Sequence, residues 1–136
     1  MNGNVIVEKS LAFAVRIVRL YRLLRHDRQE SVMSKQLLRC GTSIGANVAE
    51  SQEAQTSPDF VSKLYIALKE CSETRYWLKL LSMTDCLTDS EYKSIDDDAS
   101  ELHAMLVTII KTKKSNMRKE ATRINSRQPK ILNFPF

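Results

Sequence analysis

The sequence predicts an all-α fold, an antiparallel up-down-up-down four-helix bundle. The chain has 136 residues, which is long enough to bury one hydrophobic core. It contains only three glycines and three prolines, so long stretches run without a helix breaker. In four of these stretches apolar residues recur at spacings of three and four, the pattern of a helix with one buried face.

The first helix is predicted over residues 5–25. Its apolar residues form a broad face that includes Phe13, Ile17 and Leu24. Arginine recurs at every third position beside this face, and a row with that spacing winds slowly around a helix until it reaches the surface. The row consists of Arg16, Arg19, Arg22, Arg25 and Arg28.

The second helix is predicted over residues 30–54. Within it, Gly41, Gly45 and Ala49 lie four residues apart and form a ridge with almost no side chain. A glycine inside a helix costs about 1 kcal/mol relative to alanine. We therefore expect the ridge to be a close-packing surface, where the approach of a neighbouring helix compensates for that cost.

A polar ridge runs beside the small residues and has two interpretations. It could form a functional pocket, or it could be a buried network that ties the second helix to the third. We favour the network, because buried polar groups are normally paired with one another. Its predicted members are Arg39, Ser43, Asn47 and Glu50 on the second helix, with Glu70, Glu73 and Arg75 as partners on the third.

The third helix is predicted from Ser57 to about Ser82. Ser57 can cap it, Pro58 fits the first helical position, and Asp59 suits the positive end of the helix dipole. Two apolar strips run along this helix, the second ending at Trp77. We therefore expect the helix to touch more than its own bundle.

The fourth helix is predicted to begin at Thr88, which can form a capping box with Glu91. Residues that are apolar except for the last follow a spacing of three and four from Tyr92 to Lys113, as in a coiled-coil seam. The pattern fades after Ser115, where we expect the helix and the bundle to end.

Residues 116–136 are predicted to form a basic flexible tail, which leaves residues 1–115 for the bundle. Pro129 and Pro135 argue against a helix in the tail, and its last residues form a short apolar end at 131–136. The sequence shows no internal repeat.

The net charge of +5 is unevenly distributed along the chain. Residues 111–136 carry a net +7 and residues 1–28 a net +4, whereas residues 85–101 carry a net −6. The basic side chains could contact phosphates, although a solubilising surface is the plainer interpretation. The candidate nucleic-acid-binding residues are Arg16, Arg19, Arg22, Arg25, Lys111, Lys113, Lys114, Arg118 and Lys119.

The sequence gives no indication of catalytic or metal chemistry. A di-metal bundle needs Glu-x-x-His on two helices, but Leu23 and Ser100 stand three residues before His26 and His103. The three consecutive aspartates at 96–98 point in different directions on a helix and cannot converge on one ion. We therefore predict no catalytic residue, no metal, no cofactor and no small-molecule substrate.

The cysteines and the apolar run of the first helix indicate the cellular compartment of the protein. Cys40, Cys71 and Cys86 lack the spacing of a metal site and are interpreted as free thiols in a reducing cytoplasm. The run from Leu11 to Val18 contains Arg16, so it is neither a signal peptide nor a membrane span. A cytoplasmic protein without a membrane partner is expected.

Three stretches of the predicted helices resemble a known family, bacterial four-helix-bundle proteins encoded in intervening sequences of 23S rRNA genes. They read IVEKSLAFA at 6–14, LLRCGTSIGANVAE at 37–50 and IALKECSETRYWL at 66–78. The resemblance implies a protomer that assembles into a homo-oligomeric ring, expected to be a pentamer. Accessory proteins of diversity-generating retroelements form a related branch, whose basic pentameric barrels bind nucleic acid and a reverse transcriptase.

Two functions follow from these observations. The first is a non-enzymatic, oligomeric bundle that binds nucleic acid through its basic surfaces, with RNA favoured over DNA and an association with the ribosome left open. The alternative is a protein-interaction scaffold, whose tail docks on a partner or on a neighbouring subunit. Salt-dependent binding of nucleic acid distinguishes the two, because only the first function predicts it.

Overall fold

The computed structural model describes residues 3–127 and Pro135. Four helices account for most of these residues, and no strand occurs among them. The prediction of an all-helical protein is confirmed. The helices are α1 (Gly3–Arg22), α2 (Met33–Ser51), α3 (Ser57–Met83) and α4 (Asp89–Arg127).

Helix α1 continues into a π-helical turn, Leu23–Asp27, before the chain turns towards α2. The turn places Leu24 in the core, where it is fully buried. Gln29 then adopts a left-handed conformation with a φ of 56°, which a helix cannot contain. The helical geometry therefore ends at this residue.

The side chain of Glu30 caps the start of α2. Its carboxylate accepts hydrogen bonds from the backbone nitrogens of Met33 at 3.0 Å and Ser34 at 2.7 Å. These amides would otherwise lack partners, because the first turn of a helix has no preceding carbonyls to bond.

Helices α1 and α2 pack closely at the two glycines. A Cβ atom at Gly41 would lie 2.9 Å from two carbons of Ile17, and one at Gly45 would lie 3.1 Å from the carbonyl oxygen of Ser10. A Cβ at Gly41 would force Ile17 to move, and one at Gly45 would be tighter against the backbone of Ser10 than most real Cβ contacts, which accounts for glycine inside this helix. Ala49, the predicted third member of this close-packing ridge, is exposed instead.

The N-cap of α3 is Thr56, so the prediction that Ser57 caps this helix is wrong by one residue. Thr56 has an extended backbone, and its hydroxyl accepts a hydrogen bond from the backbone nitrogen of Asp59 at 3.2 Å. Ser57 is already helical. Thr56 and Ser57 are both suitable caps by residue type, and the backbone conformation decides between them.

The capping box predicted for α4 is confirmed. The backbone nitrogen of Glu91 donates to the Thr88 hydroxyl at 3.2 Å, and the backbone nitrogen of Thr88 donates to the Glu91 carboxylate at 2.9 Å. The predicted end of the helix is wrong, because α4 continues to Arg127. Residues 116–127 are therefore helical rather than a flexible tail, and the predicted apolar end at 131–136 lies outside the described residues except for Pro135.

The inward stripes of all four helices form one hydrophobic core. Part of the second strip of α3 also faces inwards, because Ala67 and Thr74 are fully buried. The large apolar side chains that α3 exposes are Tyr65, Ile66, Tyr76 and, at its last residue, Met83. The largest fully buried apolar side chains are Phe13, Ile17, Leu24, Leu37, Ile44, Leu64, Leu78, Leu81, Leu102 and Leu106.

Candidate nucleic-acid interface

The last two arginines of the α1 row are engaged within the chain. Arg25 donates to the hydroxyl of Tyr21 at 2.7 Å. Arg28 donates to both carboxylate oxygens of Glu91, at 2.8 and 2.7 Å, and to the carbonyl oxygen of Cys86 at 2.8 Å. Hydrogen bonds from Arg28 are the main reason why the pKa of Glu91 falls to about 2.

Arg16 is also bound to α4, whereas Arg19 and Arg22 are exposed. The guanidinium of Arg16 donates to Asp98 at 2.7 Å and to the hydroxyl of Ser94 at 2.9 Å. It therefore serves to hold α1 against α4 and is a poor candidate for a phosphate contact. Within the predicted α1 set, Arg19 and Arg22 have the most accessible charge.

Two lysines near the end of the bundle rest on aromatic rings. The ammonium nitrogen of Lys113 lies 5.4 Å from the ring centroid of Phe60, and that of Lys114 lies 5.5 Å from the ring centroid of Tyr65. Lys114 also donates to the Tyr65 hydroxyl at 3.2 Å. These contacts hold the two positive charges at the surface, next to the exposed Lys111.

Beyond these lysines α4 extends past the rest of the bundle. Met117 is the last of its side chains that packs against the core, and every side chain from Arg118 to Arg127 is exposed. We call residues 115–127 the arm. Its candidate residues Arg118 and Lys119 are both exposed, whereas Arg123 forms an ion pair with Glu120.

The arm has two different faces. One face is a shallow trough of about 460 Å³, in which small hydroxyl side chains lie between longer cationic ones. The other face carries apolar residues at spacings of four and three, namely Met117, Ala121 and Ile124. The trough is lined by Ser115, Arg118, Lys119, Thr122, Arg123 and Ser126.

The acidic region at residues 85–101 does not offset this positive charge, because most of its carboxylates have partners of their own. Five of its seven acids form ion pairs with basic residues at distances between 2.7 and 2.9 Å. Residues 111–127, by contrast, contain seven Lys or Arg and one acid. The pairs in the acidic region are Lys9–Glu101, Arg16–Asp98, Arg28–Glu91, Arg75–Asp96 and Lys93–Asp97.

The polar ridge on α2 is not the buried network that the sequence predicts. Arg39 reaches Glu70 at 3.3 Å and also pairs with Glu73, but half of the Arg39 side chain is exposed. Glu73 accepts a further hydrogen bond from the indole nitrogen of Trp77 at 3.0 Å, and these two donors lower its pKa. Arg39 therefore ties α2 to the two predicted partners on α3, but through ion pairs at the surface rather than through a buried network.

The other predicted members of the ridge have different roles. Ser43 and Asn47 bond backbone carbonyls of their own helix, at 2.6 and 2.9 Å. Glu50 pairs with Lys63 at the surface of α3. Arg75 makes a bidentate pair with Asp96 of α4, at 2.9 and 3.0 Å, because its side chain lies on the opposite side of α3.

The described residues contain neither a candidate metal site nor a candidate membrane span. No group of three or more His, Cys, Asp or Glu side chains in the described chain could hold a metal ion. Cys40 and Cys71 are buried free thiols, and burial raises the pKa of Cys71 to about 11. None of the described helices is long and apolar enough to cross a membrane.

Comparison with known proteins establishes the family. The family described as 23S rRNA-intervening sequence protein matches residues 3–108, about three quarters of the chain. The chain belongs to this family. It is also similar to the crystal structure of a protein of unknown function from the S23 ribosomal protein family of Bacteroides thetaiotaomicron, with 54% identity, a TM-score of 0.80, and coverage of 82% of this chain and 99% of that chain. No curated protein matches.

The sequence interpretation includes Arg118 and Lys119 of the arm among its candidate residues but misses that they belong to a helix. The arm lies outside the family match, which ends at residue 108. A signal for it was present, since Met117, Ala121 and Ile124 continue the spacing of the core seam, and the first helix breaker after it is Pro129. The density of charge around those three residues concealed the periodicity.

Proposed function

We propose that this protein is a non-enzymatic, oligomeric helical bundle that binds nucleic acid through its basic surfaces. The observation that carries the proposal is the difference in how charges are used. Most acids in residues 85–101 form ion pairs within the chain, whereas the cations at the end of α4 outnumber the acids around them. A positive surface of this kind attracts a polyanion and releases its counterions on binding.

The proposed architecture is the antiparallel up-down-up-down bundle. The order of contacts supports it, because residues late in one helix meet residues early in the next. On α2 and α3, Arg39 pairs with Glu73 whereas Glu50 pairs with Lys63. On α1 and α4 the partners run in opposite directions in the same way, because Lys9 pairs with Glu101 whereas the later Arg16 pairs with the earlier Asp98.

The proposed assembly is a ring, with the pentamer expected from the family resemblance. A ring joins two different surfaces of one protomer, since its contacts are head-to-tail. Two exposed apolar surfaces are available, one on α1 at Leu11 and Val15 and one on α3 at Ile66 and Tyr76. Sedimentation measures the assembly, and a monomer at micromolar concentration would contradict the ring.

RNA is the first partner to test. The family is described by its relation to 23S rRNA, and the similar crystal structure is assigned to a ribosomal protein family. Those descriptions motivate tests with rRNA fragments and with intact ribosomes beside DNA. They concern the family and the relative, and the surface charge of this chain supplies the separate physical argument.

A protein-interaction scaffold is the second candidate function. Among the described residues, Val32 and Met83 are the most exposed large apolar side chains, at 74% and 72%. Val32 immediately precedes α2, and Met83 is the last residue of α3. The connections at these two residues lie near one another, since Arg28 in the first bonds the carbonyl of Cys86 in the second. A protein partner that contacts both connections could cover both side chains.

Fluorescence anisotropy with labelled RNA and DNA, at low and at moderate salt, tests the proposed function. We expect binding by the full chain that weakens steeply as salt increases. If neither RNA nor DNA binds at low salt, the nucleic-acid function is wrong and the scaffold function remains.

A further inference from the structure

We propose that the arm, residues 115–127 of α4, enters the major groove of double-helical DNA with its trough facing the bases. This inference rests on the proposed nucleic-acid function and names the form of nucleic acid and the element that meets it. The family's connection with rRNA suggests RNA, so the choice of DNA is made on the geometry of the arm alone.

The shape of the arm fits this groove. An α-helix with its side chains is about 10–12 Å wide, and the major groove of B-form DNA is about 12 Å wide and 8.5 Å deep. The side chains from Arg118 to Arg127 are exposed on every side of the helix, over a length of about 15 Å. The cations on α1 lie along the side of the bundle, so they can touch phosphates but cannot enter a groove.

The same geometry disfavours the other forms of nucleic acid. The major groove of an A-form RNA duplex is deep and too narrow for protein side chains to read. Single strands are held by stacking on aromatic side chains, and the described residues of the arm include no aromatic residue. The B-form DNA duplex is therefore the partner that the arm fits.

The chemistry of the trough suits the floor and walls of a major groove. Ser115, Thr122 and Ser126 are short, so they let the helix approach the edges of the bases. The cations beside them reach outwards, where Arg118 and Lys119 can contact phosphates on either wall. Arginine can also bond a guanine edge through two hydrogen bonds.

The hydroxyl groups of the trough are held by their own helix. Thr122 donates to the carbonyl oxygen of Arg118 at 3.0 Å, and Ser126 donates to that of Arg123 at 2.9 Å. Their oxygen atoms therefore remain available as acceptors for the amino groups that cytosine and adenine present in the major groove. The apolar face at Ile124 points the other way, out of the groove.

Two glutamate substitutions on opposite faces of the arm test the proposed orientation. Thr122→Glu and Ile124→Glu change the net charge equally, and both positions are exposed. Binding of a short labelled DNA duplex is measured by anisotropy with the full chain. We expect Thr122→Glu to weaken binding by about tenfold or more and Ile124→Glu by a few-fold, since only the first places a carboxylate against phosphates and bases. Equal losses would overturn the inference, because they would reflect net charge alone.

Two triple variants with the same charge change test the position of the contact. We expect the arm variant to reduce the magnitude of the negative slope of log K against log salt by about 2 to 3, because each lost phosphate contact removes about 0.9. The α1 variant should reduce this magnitude by less. The variants are Arg118→Gln with Lys119→Gln and Arg123→Gln on the arm, and Arg19→Gln with Arg22→Gln and Arg25→Gln on α1.

The outcomes separate this inference from the proposed function. Circular dichroism of each variant confirms that helix content is retained, as glutamine is a good helix former. If an RNA duplex of the same sequence binds as tightly as the DNA, or if the α1 variant loses more than the arm variant, the inference fails and the proposed function stands. If the unaltered chain binds no nucleic acid, both fail.

Discussion

The two ends of α4 use charge in opposite ways. From Asp89 to Ile110 the helix is packed against α1 and α3, and its acidic side chains form ion pairs across the helix contacts. From Ser115 to Arg127 the same helix has little to pack against, and its charges are mostly positive. Charge in the first region helps to select which helices are neighbours, whereas charge in the arm remains available to a partner.

This difference teaches that a charge count from the sequence does not describe the surface of the folded protein. The segment at residues 85–101 has a net charge of −6, yet most of its carboxylates are matched by a basic side chain from another helix or from α4 itself. In the folded protein the acidic segment therefore carries much less unpaired negative charge than its sequence suggests. The arm keeps the charge that its sequence indicates.

The largest expected effect is on stability in the packed region. Leu106 is fully buried in α4, and Leu106→Ala should lower the free energy of unfolding by about 2–5 kcal/mol through lost burial and a cavity. Urea denaturation followed by circular dichroism measures the change. A loss below about 1 kcal/mol would show that this part of α4 is not packed as described.

A smaller effect is expected at the ion pair that closes the start of α4. Folding lowers the pKa of Glu91 from its ordinary 4.5 to about 2, so its ionised form stabilises the fold above pH 4.5 and this contribution is lost as the pH falls towards 2. The side chain is 35% exposed, and we therefore expect Glu91→Gln to cost only about 1 kcal/mol at neutral pH.

The pH dependence of that substitution provides its control. Glutamine can still accept the capping hydrogen bond from Thr88, so the variant removes the charge and keeps the capping box. The difference in unfolding free energy between the parent chain and Glu91→Gln should shrink as the pH falls from 4.5 towards 2. A difference that stays constant over this interval would mean that the charge of Glu91 is not its cause.

The smallest effect is expected in the arm. Ile124 is 50% exposed, and Ile124→Ala should change the free energy of unfolding by less than about 0.5 kcal/mol. The same urea measurement as for Leu106→Ala gives a direct contrast between two aliphatic residues of one helix. A loss comparable to that of Leu106→Ala would show that the arm is packed in solution, for example against another subunit.

Much of the fold could be predicted because it depends on local patterns. Helix starts follow from residue types such as Thr88 and Glu91, and the buried faces follow from apolar spacing. Both kinds of signal lie within a few residues of each other in the chain. The left-handed Gln29 and the capping carboxylate of Glu30 have weaker signatures, which is why the start of α2 was predicted less closely.

The candidate interface was less predictable because it depends on which helices become neighbours. Arg16 and Arg19 look alike in the sequence, but only Arg16 faces Asp98 and Ser94 after folding. The sequence predicts Arg75 as a partner of α2, but this residue pairs with Asp96 of α4. Long-range pairings of this kind cannot be read from spacing along one helix.

Hydrogen exchange along α4, with and without a DNA duplex, tests the central claim most directly, because one measurement compares both regions of the same helix. In the free protein, amides of residues 95–110 should exchange slowly and those of the arm quickly, since packing protects only the first region. Addition of DNA should slow exchange in the arm and leave residues 95–110 unchanged. If DNA slowed exchange in α1 alone, or left exchange in the arm as fast as in the free protein, the account would be contradicted.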